Sequence, residues 1–356
     1  MSDAASLAGL ADTLFTLTIL AFSLATIAFA ATLAFAREAT ASEQRSERQR
    51  AEPRGREHRP SASEGGADRP VRGAHETEQS SGASAEPTDQ IQVLDVTTRS
   101  TFSARAGQAA MGITVVGAVL HGGVLLLRGL AAERVPLGNM FELATAVAFV
   151  GVGGFLYLAF RTPRLRAIGL FVTLPITVSL VLVGLFLYAE SGPLVAALRS
   201  RWLVVHVTTV TIGFGAFLTS GILSALFLVR SRFEEAGQAA GGIIGRIGHR
   251  LPTSQTLDRA AHRMVVFGFP IFTFAVIAGA VWAESAWGRF WGWDPKETWA
   301  FIAWIVYAAY LHARVTAGWK GRAAAWINVG GLVVMLFNLL YVNLVTTGLH
   351  SYAGIN

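Results

Sequence analysis

The chain has 356 residues, 53% of them hydrophobic and 15% charged, with a mean hydropathy of +0.48. A water-soluble globule of this size cannot hide that much apolar surface, so a soluble fold is excluded. The formal net charge of +6 comes largely from Arg between apolar runs. It reads as membrane topology and not as nucleic-acid binding, because no basic segment has the spacing of a known reader. Cysteine is absent, which removes disulfides, thiolate metal sites and cysteine nucleophiles; any thiol chemistry must be brought by a partner or a substrate.

The first apolar run, about Leu7 to Ala36, is too long for the core of a signal peptide, lacks a basic start and runs into charge instead of a cleavage site. It reads as a retained transmembrane helix. From 37 to 105 the composition flips to Arg, Glu, Ser, Gly, Pro and Ala. That leaves too little apolar surface to offset the entropy of ordering, and the expectation is a disordered, charged cytoplasmic linker in which His58 and His75 are solvated. Seven more apolar runs follow at about 107–130, 138–160, 166–189, 202–229, 264–284, 297–316 and 323–348. Each is near or above the length that crosses roughly 30 Å of hydrocarbon as a helix.

The expected fold is therefore an all-α polytopic membrane protein of about eight transmembrane helices. An N-terminal helix occupies 1–36, the linker 37–105 and a seven-helix core 106–356. Pro175 and Pro270 interrupt helical patterns and are expected to kink them, which neighbouring helices in a bundle tolerate. No internal repeat is evident, which argues against a secondary transporter. Eight spans put both termini on one side of the membrane. The alternate loops at 161–166, 230–263 and 314–322 hold twelve Lys and Arg, whereas the opposite side holds six: Arg128, Arg134, Arg199, Arg201, Arg289 and Lys296. Cation-rich loops stay inside, so both termini and the segment before the seventh span are expected to face outward from the cell membrane.

That segment, WGRFWGWDPKETW from Trp287 to Trp299, is the most informative in the chain. Six of the nine Trp fall between Trp282 and Trp304, denser than a membrane-interface girdle requires, which suggests an aromatic surface for a flat ligand. Asp294, Pro295 and Glu297 are explained by helix capping: Asp294 caps, Pro295 suits the first helical position and Glu297 closes a capping box. Capping does not explain Trp287, Trp291 and Trp293. Arg289 and Lys296 are cations beside them, suited to a ligand's carboxylates. Asn139 and Glu142, in RVPLGNMFELAT, are further polar candidates at the same level.

Topology sorts the eight histidines. His249 and His262 fall in the basic inner loop, where solvation accounts for them. His206, one turn into a helix in RWLVVHVTTV, and His350, in TTGLHSYAG, lie at the depth of the tryptophan segment. Two neutral imidazoles with aromatic rings around the plane between them make a bis-histidine site for haem iron. His312, roughly 20 Å below Trp299 on one helix, cannot reach that site; it is either a ligand of an inner site or a histidine snorkelling to the interface. His121, in AVLHGGVLL, is mid-membrane and fits a ligand or a helix-packing role equally.

The stretch WGRFWGWDPKETWAFIAWIVYAAYLHAR, with WLVVHV before it and NLVTTGLHSYAG after it, resembles the CcsA family, called ResC or CcsB in some bacteria, the haem-handling subunit of system II cytochrome c synthase. The likeness covers roughly residues 107–356 and includes RVPLGNMFE. It implies that His206 and His350 are outer haem ligands, that Trp287, Trp291, Trp293 and Asp294 belong to a WWD haem platform within 282–304, and that His312 is a ligand of an inner entry site. It further implies haem b as the bound substrate and a Ccs1/ResB-type membrane subunit as partner. Apocytochrome c enters as the acceptor, and thiol-reducing proteins enter indirectly. The activity implied is a haem lyase joining haem vinyl groups to a Cys-x-x-Cys-His apocytochrome; the alternative is a haem exporter or presenter without ligation activity. Phe290 stands where Tyr is common in that family, and the 37–105 linker has no counterpart in it.

Overall fold

Each apolar run forms a helix in the computed structural model, which describes residues 2–51, 87–192, 199–237, 245, 247–316 and 318–350. We number the helices α1 (Ser2–Ala51), α2 (Pro87–Ala131), α3 (Met140–Arg161), α4 (Gly169–Phe186, entered through a 3-10 turn at Pro163–Ile168), α5 (Arg201–Ala236), α6 (Ser254–Trp287), α7 (Pro295–Val315), α8 (Arg322–Leu339) and the single turn α9 (Tyr341–Leu344). Among the described residues there is no strand. Residues 1–30 and 107–356 form one compact unit and 31–106 another.

Among the described residues, seven segments are long and apolar enough to cross a membrane, with Arg322–Leu344 counted as one. The remaining expected span, 297–316, forms as α7 but is diluted by Trp, Tyr, Lys296, Glu297 and Arg314. Helix also extends into the segment expected to be linker: α1 runs on to Ala51 and α2 begins at Pro87. The residues added to α1 are rich in Ala, Glu, Gln and Arg, strong helix formers even without burial. The middle of that segment, with His58 and His75, lies outside the described residues.

The core is built on α5, which packs most extensively on α6 and also against α8 and α3. Small residues permit close approach where lipid gives helices no hydrophobic drive to associate. A Cβ on Gly221 would meet Leu332 at 2.6 Å, and one on Gly268 would meet Ala216 at 2.9 Å. Asn328 of α8 donates to the Ser220 and Ser224 hydroxyls of α5 at 2.7 and 2.8 Å, a buried polar tie of the kind that fixes helix pairs in membranes.

The first helix is part of this core. Ala11, Phe15, Thr18, Phe22, Ala25 and Phe29 are all buried, an alternating four-and-three spacing that makes one seam. Its three phenylalanines seat on glycines: Phe15 on Gly184, Phe22 on Gly117 and Phe29 on Gly169. At the end of the bundle where α3 begins, buried Glu142 accepts two hydrogen bonds from Arg134, at 2.7 and 3.2 Å, and one from the Gly138 N–H at 2.7 Å. Arg128, only 2% exposed, lies 3.6 Å from Glu142 and 3.7 Å from Asp12 of α1, with its guanidinium 4.5 Å from the Phe141 ring. Asn139 caps α3 by accepting from the Glu142 N–H at 2.8 Å. These two polar residues thus brace the 132–139 loop.

His121 is fully buried between Phe22 and Phe149, ring centroids 6.0 and 5.5 Å away. It faces the Thr145 backbone, but neither ring nitrogen closes a hydrogen bond of ordinary geometry.

Candidate functional site

The turn between α6 and α7 is organised by two carboxylates. Asp294 caps α7, accepting from the Lys296 N–H at 3.2 Å, and the expected capping box with Glu297 is present. Glu297 reaches back to accept from the N–H groups of Asp294, at 3.0 Å, and Gly292, at 2.9 Å. It also pairs with Arg289 at 3.2 Å. Trp293, between them, is held at φ 58°, a backbone state that costs a bulky residue on the order of 1–3 kcal/mol and persists only where its surroundings enforce it.

The same Asp294 gathers in the end of the chain. Helix α8 stops at Leu339 and α9 is one turn, short of the expected run to 348, so Thr346, Thr347 and Gly348 leave the helical path before His350. Asp294 captures this segment by accepting from the Leu349 N–H at 2.9 Å and from His350 Nδ1 at 2.9 Å. The approach is close: a Cβ on Gly348 would lie 2.6 Å from Asp294 Oδ1. Burial raises the Asp294 pKa, but the hydrogen bonds from His350 and Leu349 and the nearby imidazole outweigh it, holding the carboxyl at about 2.

His206 is held by a parallel device. Its Nδ1 lies 2.8 Å from the Ala275 carbonyl oxygen on α6. A carbonyl can only accept, so Nδ1 carries the proton and Nε2 keeps its lone pair. Gly279, one turn beyond Ala275, makes room; a Cβ there would meet His206 Cε1 at 2.6 Å and Nδ1 at 2.7 Å. In both histidines, then, Nδ1 is occupied and Nε2 is left to bind something else. This is the arrangement by which outer partners fix the tautomer and orientation of a ligating imidazole.

His206 and His350 line two adjoining cavities together with Lys296. The first, a cavity of about 100 Å³, is walled by Trp287, Phe290, Trp291, Phe272 and Phe214. The second continues past Trp282 to the Gly138–Met140 loop and Asn343. Trp282 bridges the histidines, nearly parallel to His206 at 6.1 Å and tilted 63° to His350 at 5.8 Å. Trp287 packs its edge on His350 at 4.9 Å.

Several expected site residues fall elsewhere. Trp293 is 65% exposed and lines neither cavity; it meets Trp291 edge-on at 5.7 Å. The rings do not form one flat platform but lean on each other at steep angles, as aromatic quadrupoles prefer. Arg289 is paired with Glu297 and lies 5.7 Å from the Trp287 ring, so its charge is already compensated. Lys296 does face both cavities, with Nζ donating to Asn343 Oδ1. His312 is exposed near the far end of α7, close to Thr316, and about 24 Å along the helix from Lys296; it lines neither cavity. Trp282, Gly279 and Ala275 were not singled out by sequence. Among the described residues no group of three or more His, Cys, Asp or Glu gathers as for a conventional metal site, so any iron here would rest on the two imidazoles.

Known proteins fit this geometry. Residues 137–350 match the family model described as cytochrome C assembly protein, a range that starts beside the Gly138 loop and ends on His350. The cytochrome c biogenesis protein CcsA of Synechococcus sp. (strain RCC307) is 38% identical over 252 residues, covering 64% of this chain and 79% of the relative. CcsA of Microcystis aeruginosa (strain NIES-843 / IAM M-2473) is 34% identical over 289 residues, covering 69% and 87%. CcsA of Guillardia theta is 34% identical over 259 residues, covering 69% and 85%. With a family match over more than half its length, the chain belongs to the cytochrome c assembly protein family, among its CcsA members.

Proposed function

We propose that this multi-pass membrane protein acts in cytochrome c biogenesis by holding haem b between His206 and His350 and presenting it for attachment to apocytochrome c. One observation carries the reading: two imidazoles, each with Nδ1 hydrogen-bonded, share aromatic cavities. Haem supplies the iron those Nε2 atoms would ligate and the vinyl groups to be joined. Trp287 and Trp291, which line the first cavity, and Trp282, which lines the second, would contact the macrocycle, and Lys296 offers a cation to a propionate. Asp294 acts through His350 as a positioning residue.

The reaction is addition of each thiol S–H of a Cys-x-x-Cys-His segment across a vinyl double bond, with no leaving group. The chain's task is orientation at a reduced iron. The absence of cysteine in the chain avoids a competing thiol near the vinyls. His312 serves an inner entry site completed by a ResB-type subunit, and the Lys and Arg asymmetry sets the His206 and His350 end outward and the 37–105 segment inward.

The test is a visible spectrum of detergent-purified protein co-expressed with a ResB-type subunit, for the parent and for His206→Ala, His350→Ala and His312→Ala. The expected outcome is a Soret band with split reduced bands that fades in the first two variants. A haem-free parent from haem-replete cells refutes the reading. Thioether product on an added apocytochrome, formed by this pair alone, supports the lyase; haem release without product favours an exporter or presenter.

A further inference from the structure

At the end of the bundle away from His206 and His350, a cleft of about 870 Å³ lies between α3, α5 and α6. Phe149, Tyr157, Ile212, Met264 and Phe267 give it apolar walls, and Arg161 and Arg263 stand in its lining. Gly153 opens it, since a Cβ there would meet nothing within 4 Å. Along α3 it runs from Phe149 to Arg161, about 18 Å of helix, which matches one leaflet, half of a hydrocarbon core roughly 30 Å thick. Tyr157 and Phe267 are more than half exposed, so the cleft opens sideways to the surroundings of the bundle.

Of the arginines at this end, some are paired and others are not. At the same end Arg230 pairs with Glu234, Arg314 with Asp258 and Arg322 with Glu235. Arg161 and Arg263 form no ion pair among the described residues, and Arg161 lies 5.8 Å from the Tyr157 ring. A leaflet-long apolar trough with two uncompensated cations at one end has the charge and length pattern of an acyl chain joined to a phosphate.

We propose that this cleft binds one anionic phospholipid, its acyl chain along α3 and its phosphate against Arg161 and Arg263. The site is separate from the imidazole cavities, and its occupancy does not depend on the haem reading. The test is native mass spectrometry of the full chain in mixed micelles of phosphatidylglycerol and phosphatidylcholine. The parent is expected to retain one phosphatidylglycerol in preference to phosphatidylcholine. In the double variant Arg161→Ala, Arg263→Ala that preference falls about 25-fold, roughly fivefold per arginine. Gly153→Leu, a good helix former that fills the trough, loses the retained lipid altogether and decides the matter should the arginine variant fail to fold. A parent that retains both lipids equally, or a Gly153→Leu variant that retains as much as the parent, overturns the proposal.

Discussion

Gly279→Ala separates the ligand geometry of His206 from the stability of its helix, because the two respond in opposite directions. The added methyl would lie 2.6 Å from Cε1 and 2.7 Å from Nδ1 of the ring, whereas unstrained contacts need about 3.5–4.0 Å. The ring must retreat by about 1 Å, and its bond to the Ala275 carbonyl, now 2.8 Å, stretches out of the hydrogen-bonding range of about 2.7–3.2 Å. Loss of such an outer partner lowers metal affinity about 10- to 100-fold. Alanine meanwhile favours a helix interior over glycine by about 1 kcal/mol. The assay is haem titration of haem-stripped protein at the Soret band, paired with a far-UV thermal melt. Gly279→Ala should bind about 10- to 100-fold more weakly with an unlowered melting midpoint, and Gly153→Ala, where the methyl meets nothing, should bind as the parent does. Parent-like affinity and spectrum in Gly279→Ala would show that the His206 position does not matter to the ligand.

Asp294→Asn keeps a capping oxygen but loses the charge facing His350, and should weaken haem binding at neutral pH about tenfold, read by the same titration. Because the Asp294 pKa is depressed to about 2 from an ordinary value near 3.9, its anchoring contribution is complete above about pH 4 and drains away as pH falls toward 2. The protection factor of the Leu349 amide against hydrogen exchange should therefore stay level from about pH 8 to pH 5; a decline already present between those limits contradicts the assignment. Glu142→Ala would strand buried Arg128 and half-buried Arg134 without their common carboxylate, at a cost of about 3–5 kcal/mol. A thermal melt in detergent with an unshifted midpoint would show that the network is not what holds that end of the bundle.

Much of the fold was legible because lipid demands long apolar helices, and their lengths are written directly in the chain. The α7 start was legible for a different reason: a capping box is local, and Asp294 and Glu297 are three residues apart. The departures arise where distance in sequence is large. Nothing local to Ala275 or Gly279 announces that His206, some seventy positions earlier, rests on them. Trp282 reads as one aromatic among six, and only the packing of α5 on α6 sets it between the imidazoles. Trp293 shares the motif of Trp291 but is exposed, at a positive φ that nothing in the motif announces. The last helix was overextended because Val and Leu continue past Leu339, while the competing attraction, a carboxylate on another helix, is invisible from that segment.

The seating of Phe15, Phe22 and Phe29 on three glycines of α2 and α4 makes the position of α1 a matter of shape at three points and not of the tether that follows it. A single-residue slip would lift all three rings from their notches at once, so the helix docks in one register or none.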